Sequence, residues 1–263
     1  MTKRKFASIL ITGASSGIGA ALALRYAAPS VTLTLTGRNQ ERLDQVAEAA
    51  RGRGALVQAA AVSVGDREAM AGTVAAAESL QPLDLVIANA GISGGLGGAD
   101  QPFEAAMQSR AITETNVEGV LNTVEPALPG LLARGDGQIG LIASLAAFRG
   151  FAGAPAYCAS KAWVKVWGEG LRASLAPQGV GVTVICPGFV KSRMTAVNDF
   201  SMPMIWETDK AATRIVQGLE RNRARIAFPW PLLLAVQLMT LLPAGWVDAL
   251  QRRLPAKGTR EKN

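Results

Sequence analysis

Tyr157 and Lys161 stand four residues apart in Pro155-Ala-Tyr-Cys-Ala-Ser-Lys-Ala-Trp163, where the sequence opens a helix that reads on through Leu175. Four residues on a helix make about one turn, so the phenol and the ammonium share a face. A phenol ionises near pH ~10 in water, too high for efficient proton transfer at neutral pH. A cation beside it favours the phenolate, and a second cation in the same site adds to the effect. Lowering the ionisation point by ~2 to 3 units corresponds to roughly 3 to 4 kcal/mol, within reach of two nearby cations in a partly dry site. Taken alone, the pair also reads as an ordinary helix face.

A second stretch says what such a pair could work beside. Ile9 to Gly19 runs Ile-Leu-Ile-Thr-Gly-Ala-Ser-Ser-Gly-Ile-Gly: an apolar run, a turn carrying Gly13, Ser15, Ser16, Gly17, Ile18 and Gly19, then a strong helix former from Ala20. Strand, tight turn and helix in that order can aim several N–H groups and the positive end of a helix dipole at a phosphate. This reads as a dinucleotide pyrophosphate site, and the positive ring of an oxidised nicotinamide would be the second cation near Tyr157. The spacing is Gly-x3-Gly-x-Gly, so a turn that merely packs helix on strand stays open at this point. Gly13-Ala-Ser15-Ser-Gly17 also fits a hydrolase nucleophile elbow, but the chain has no histidine to serve as its base.

These residues need a sheet to hold them. The 263 residues, about half apolar, suffice for one well-buried α/β domain, and no second composition regime or repeat asks for another. Cys158 and Cys186 are the two cysteines, with no spacing for a disulfide framework or metal site. Without histidine, zinc is also disfavoured. The charged start Met1-Thr-Lys-Arg-Lys-Phe6 leads into too short an apolar run for a signal peptide, so the expected setting is cytoplasmic and reducing. The net charge of +7 lies mostly in the tail: residues 1 to 220 hold 19 Lys/Arg against 18 Asp/Glu, residues 221 to 263 hold 8 against 2. No basic face with interleaved aromatics marks a nucleic-acid partner.

Along the chain, strands are expected over 30–36, 55–64, 83–88, 138–143 and 182–186. Helices are expected from the cap Asn39 to Gly52, from the cap Asp66 to Leu80, over Phe103 to Leu121 with Asn116 inside, and from the cap Asp209 over Lys210 to Arg221. Gly37 and Arg38 follow the second strand where an NAD site carries an acidic residue, so NADP(H) is expected over NAD(H); Arg38 as a solvated loop charge is the alternative. Asn89, Ala90 and Gly91 sit at the carboxyl end of the fourth strand, where ligands gather in open parallel sheets, and Ser144 ends the fifth.

With these residues in place, the chain resembles the short-chain dehydrogenase/reductase family from about Phe6 to Ala227. The resemblance rests on Thr12-Gly-Ala-Ser-Ser-Gly-Ile-Gly19, Asn89-Ala-Gly91, Asn116, Ser144, Tyr157-x3-Lys161 and Pro187-Gly188. It implies an α/β fold, a single doubly wound Rossmann domain with a parallel seven-stranded sheet and helices on both faces. It implies that Tyr157 is general acid in reduction and general base in oxidation. Ser144 would hydrogen-bond the substrate oxygen, Lys161 would bind the nicotinamide ribose and tune Tyr157, and Asn116 would hold a water for proton relay. Ser63 and Val64 stand where the family usually has an aspartate for the adenine amino group. The nicotinamide segment reads Pro187-Gly188-Phe-Val190-Lys-Ser192, with serine for the usual threonine. The implied activity is interconversion of a carbonyl and a secondary alcohol, and the implied assembly is a homodimer or homotetramer, with Trp163, Val166 and Trp167 as contact residues or as core.

Substrate identity is the thinnest part. Met194, Val197, Phe200, Met202, Met204, Ile205 and Trp206 would make a lid for an apolar or bulky carbonyl or alcohol, or pack on the protein itself. Residues 1–226 form the dinucleotide-binding and catalytic domain, and 227–263 an apolar then basic extension. Ala227 to Val247 carries no charge, is flanked by Arg221, Arg223, Arg225 and by Arg252, Arg253, Lys257, and has Trp230 and Trp246 near its ends. It could pack over the cleft, on a neighbouring subunit or on a membrane surface; Pro229, Pro231 and Pro243 leave a helical core of about eleven residues, short for a span. Beside a carbonyl reductase, two functions stay open: a non-catalytic NADP-binding regulator, and a membrane-recruited reductase of a lipid, sugar or polyketide-like carbonyl.

Overall fold

The structure, a computed structural model, describes residues 3–94, 106–196 and 201–251. Seven parallel strands form one sheet in the order β3-β2-β1-β4-β5-β6-β7: β1 Ser8–Ile11, β2 Thr32–Thr36, β3 Leu56–Ala60, β4 Leu85–Ala88, β5 Gln138–Ile142, β6 Gly181–Pro187 and β7 Arg225–Phe228. All but the two edge strands are buried along their whole length, the pattern of a parallel sheet covered on both faces. Alternation along β1 divides the core. Ile9 and Ile11 face α1 (Gly17–Tyr26), α2 (Gln40–Arg51) and α9 (Thr208–Leu219), whereas Leu10 faces α3 (Arg67–Leu80), α5 (Gly119–Val124) and α7 (Pro155–Leu175). The sheet grows outward from β1 to β3 and then restarts on the other side of β1 with β4. That switch point opens a crevice at the carboxyl ends of the strands.

Local chemistry explains where elements differ from the expected bounds. Ser30 takes φ 69°, so the second strand starts at Thr32. The third leaves the sheet at Ala60, and the Val64 carbonyl is taken instead by Asn122 Nδ2 at 2.9 Å. The long helix is three pieces: α4 (Ala106–Thr113), a π turn over Glu114–Glu118, and α5, with α6 (Leu128–Arg134) after it and the short α8 (Arg193–Ala196) after β6; Phe103 lies outside the described residues. The helix expected from an Asp209 cap starts at Thr208 with Glu207 as its cap residue. Thr208 Oγ1 donates to Lys191 O at 2.7 Å and Glu207 pairs with Lys191, which pins the entry two residues early and leaves Asp209 in the first turn.

β7 crosses position 226, so the sheet continues two residues into the segment read as an extension. After it, α10 (Trp230–Leu241) tolerates Pro231 in its first turn, where the missing N–H has no partner to lose, and Pro243 separates it from α11 (Ala244–Gln251). Among the described residues no helix is long and apolar enough to cross a membrane. Trp163 and Trp167 stack at 5.2 Å and pack on the core, while Val166 faces solvent. Close approach of α7 to the sheet depends on Gly168: a Cβ there would stand 2.6 Å from Leu141 Cδ1 and 2.7 Å from Val184 Cγ2.

Candidate active site

The crevice at the switch point is a cleft of about 1080 Å³. One end is made by the β1–α1 turn. Gly13 and Gly17 have φ of +65° and +57°, conformations that disfavour a side chain. A Cβ on Gly13 would lie 2.8 Å from Ala90 Cα, and one on Gly19 would lie 2.4 Å from Gly13 O. Thr12, which the motif reading left without a task, ties this turn to the next strand. Its Oγ1 accepts from the N–H groups of Asn89 and Ala90, both at 3.1 Å. Asn89 Nδ2 in return donates to Thr12 O at 2.8 Å and Gly13 O at 3.2 Å. Ser16 is the N-cap residue of α1 but makes no side-chain cap bond, and the first turn carries no acidic residue. The amino end of α1 is therefore open to an anion.

Of the cofactor residues read from sequence, Gly13, Ser15, Ser16, Gly17, Ile18, Arg38, Ser63, Val64, Asn89, Ala90, Gly91, Tyr157, Lys161, Pro187, Gly188, Val190 and Ser192 all line this cleft, as does Ser144. Gly19 and Asn116 do not. Gly19 is the packing glycine just described. Asn116 is fully buried in the π turn, where Nδ2 donates to Ile92 O at 2.9 Å and to Ser160 Oγ at 3.0 Å, and Oδ1 accepts from Ile92 N at 2.8 Å. Both amide hydrogens are thus committed, and the side chain braces the strand end against α7. The bond from Ser160 Oγ to Tyr157 O at 2.8 Å carries that brace to the tyrosine. Neither Ser160 nor the π turn was visible in the motifs.

Arg42 was also missed. It lines the cleft together with Arg38 and Asn39, and its buried Nε has no protein partner. Arg42 as a whole is half-buried, but an Nε shut off from water without an acceptor is costly unless an anionic group completes it. The available signal was position, since Arg42 stands in the first turn of α2, whose cap Asn39 directly follows Arg38 and accepts at Oδ1 from Arg42 N at 2.9 Å.

At the centre, Ser144 caps the short turn Leu145–Ala147 that follows β5, accepting from Ala146 N at 3.1 Å, and its hydroxyl hydrogen-bonds the Tyr157 phenol. Lys161 is 3 % exposed, donates from Nζ to Ile142 O at 2.9 Å, and sits 5.9 Å from the Tyr157 ring centroid. Of the two cations expected to lower the phenol, the protein itself supplies only Lys161. Burial pushes the Tyr157 phenol up, and the Ser144 hydrogen bond opposes it. Burial also pulls Lys161 down to about 8, with Cys186 acting the other way. Lys161 is still mostly protonated at neutral pH, yet the phenol stays above its ordinary value, so lowering it calls for a further positive charge in the cleft.

The opposite wall is apolar: Leu145, Phe151, Met194, Leu232, Val236 and Met239. The expected lid is only partly there. Met194 lines the cleft, but Trp206 stacks on Phe228 at 4.7 Å under Lys210, and Met204 faces solvent. Val197 and Phe200 lie outside the described residues. The apolar wall comes instead from α10, whose Leu232 seats against Gly188, where a Cβ would meet Leu232 Cδ2 at 3.2 Å.

Comparison with known proteins agrees with this geometry. The family model described as short chain dehydrogenase matches residues 7–201. An uncharacterized oxidoreductase of Myxococcus xanthus is 38% identical over 255 residues, 97% of this chain and 100% of the relative. The ketoacyl reductase HetN of Nostoc sp. is 32% identical over 227 residues, 85% of this chain and 78% of that protein. Among solved structures, a short-chain dehydrogenase from Sphingobium yanoikuyae in complex with NADPH superposes with a TM-score of 0.77 at 25% identity, covering 97% of this chain and 98% of the other. The chain belongs to the short-chain dehydrogenase/reductase family of NAD(P)-dependent oxidoreductases.

Proposed function

We propose that this protein is an NADP(H)-dependent oxidoreductase that interconverts a carbonyl and a secondary alcohol, with Tyr157 moving the proton. The observation that carries the reading is the Ser144–Tyr157 hydrogen bond beside the buried Lys161, facing the same cleft as the glycine turn. The chain fits a dinucleotide by its own features. The uncapped amino end of α1 suits a pyrophosphate, and the unpartnered Arg42 Nε with Arg38 beside it suits a 2′-phosphate. NAD(H), lacking that phosphate, would use the same cradle without the two arginines. The NADPH complex of the similar Sphingobium enzyme supports this choice.

When bound, the nicotinamide supplies or takes the hydride. The residues do the rest. Ser144 and Tyr157 donate hydrogen bonds to the substrate oxygen and stabilise it as it gains negative charge. The Tyr157 hydroxyl gives its proton to that oxygen in reduction and takes it back in oxidation. Lys161 holds positive charge beside the phenolate so formed, and Asn116 with Ser160 keeps the tyrosine and lysine turn in register. The wall of Leu145, Phe151, Val236 and Met239 excludes water and selects an apolar substrate. The test is NADPH and NADH oxidation over a panel of aliphatic, aromatic and acyl-chain carbonyls. Turnover with NADPH, favoured on apolar members, is expected. Tight NADPH binding with no turnover on any member would leave a non-catalytic nucleotide-binding protein instead.

A further inference from the structure

α10 is apolar on two opposite faces. Leu232, Val236 and Met239 recur at helical spacing and line the cleft. Trp230, Leu234, Leu238 and Leu241 recur on the other side and face outward, with exposures of 73, 48, 54 and 79 %. Polar side chains on the helix are limited to Gln237 and Thr240. A helix hydrophobic all round is normally covered on every side. On α11, which follows directly, Val247 is buried and Trp246 is 69 % exposed. A contiguous exposed apolar patch of this kind marks an interaction surface.

Charge decides between the occupants. Residues 221 to 263 hold 8 Lys/Arg against 2 Asp/Glu, whereas the preceding 220 residues are nearly balanced. The chain runs from α11 directly into Arg252 and Arg253, then Lys257, Arg260 and Lys262. A second copy of this chain carries the same excess of positive charge in residues 221–263 and offers it no complement. An anionic bilayer complements it, and tryptophans at both ends of an uncharged run suit the headgroup level.

We infer that the outer face of α10 and α11 docks on an anionic lipid surface, so that the inner face of the same helix opens the cleft to an apolar carbonyl compound held in the bilayer. The substrate part rests on the function proposed above; the docking does not. The helix lies in the interface rather than across it, in keeping with its twelve residues.

The experiment is flotation of the full chain with phosphatidylcholine vesicles and with vesicles containing phosphatidylglycerol. The parent protein floats with the anionic vesicles, and high salt releases much of it. Leu234→Glu/Leu238→Glu/Trp246→Glu lowers the partition about a hundredfold, the effect of withdrawing three apolar side chains from the acyl boundary. NADPH affinity stays at the parent value and shows that the variant is folded. Arg252→Glu/Arg253→Glu/Lys257→Glu, which changes no residue of α10 or α11, lowers the partition about as much through lost headgroup attraction. Recovery of the parent in the lipid-free fraction with both vesicle types overturns the docking. So does a parent dimer that the apolar triple variant converts to monomer with no effect on lipid. A protein that floats but reduces nothing overturns the enzyme, and one that reduces water-soluble ketones but does not float overturns the docking. Equal turnover of a vesicle-held long-chain ketone by parent and triple variant overturns the delivery of substrate from the bilayer.

Discussion

The two walls of the cleft are built from different parts of their residues. On the β1 side the working atoms are backbone: N–H groups at the α1 end, carbonyls tied by Asn89, and glycines whose missing Cβ leaves room. On the α10 side they are side chains, Leu232, Val236 and Met239, which touch the cleft with carbon atoms only. A backbone wall admits one geometry and tolerates little change. A wall of flexible apolar side chains can be recut without disturbing the other, which lets one scaffold keep its cofactor while its substrate varies.

Gly13→Val attacks the first wall where it is stiffest. A β-branched side chain at φ +65°, with its Cβ 2.8 Å from Ala90 Cα, must move the strand end that carries Asn89 and Gly91. NADPH affinity should fall about a thousandfold or more, several kcal/mol of strain and lost contacts, as read by protein fluorescence or calorimetry. Affinity within about tenfold of the parent would show that the backbone wall is softer than described.

Arg38→Asp sharpens the comparison by changing a side chain on the backbone wall. The ratio of kcat/KM for NADPH over NADH should fall about a hundredfold, because a carboxylate replaces a phosphate partner. Arg42→Ala should lower NADPH affinity about tenfold and leave NADH nearly unaffected. An unchanged ratio in both would place the two arginines outside cofactor choice.

Lys161 joins the two walls and gives a pH-dependent signal. Its folded-state value near 8 lies below the usual 10.5, so the buried ammonium costs stability below pH 8. Between about 8 and 10.5 the unfolded chain holds more protons, and this cost is relieved as pH rises. Lys161→Met should therefore be more stable than the parent near pH 7, by up to about 3 kcal/mol less the lost Ile142 bond, while losing activity. The gap in Tm should narrow from pH 8 towards 10; a gap constant with pH would mean that burial does not lower the lysine in the folded protein.

The smallest effect belongs to the second wall. Val236→Ala or Met239→Ala should change KM for long apolar ketones a few-fold, roughly 1 kcal/mol per lost contact, with NADPH affinity unchanged. A parallel loss of cofactor affinity would couple the walls.

The same difference governs what could be read from the residues alone. The glycine turn and the Tyr157–Lys161 face were legible because backbone geometry and helical spacing leave few residue types to choose from, whereas Asn89, Ser144 and Pro187 were picked out by strand ends together with the family resemblance. Arg42 was overlooked although its position just after the Asn39 cap was in view, because direction into the cleft depends on how α2 docks. The π turn around Asn116 left no trace, since inserting one residue in a helical ladder changes bonding and not composition. Trp206 was left open between lid and core because an aromatic carries no mark of whether it faces a ligand or Phe228. α10 stood in the sequence as an apolar tail with three destinations, and its inward and outward faces separate only once β7 is seen to add the seventh strand.

The central claim is that Tyr157 moves the proton in a cleft whose cofactor wall does not depend on that hydroxyl. Tyr157→Phe, measured for NADPH Kd and for kcat on the best carbonyl substrate, tests it most directly. The account predicts a Kd within about twofold of the parent and a kcat lower by about a thousandfold or more. A kcat within a few-fold of the parent at unchanged Kd would contradict it.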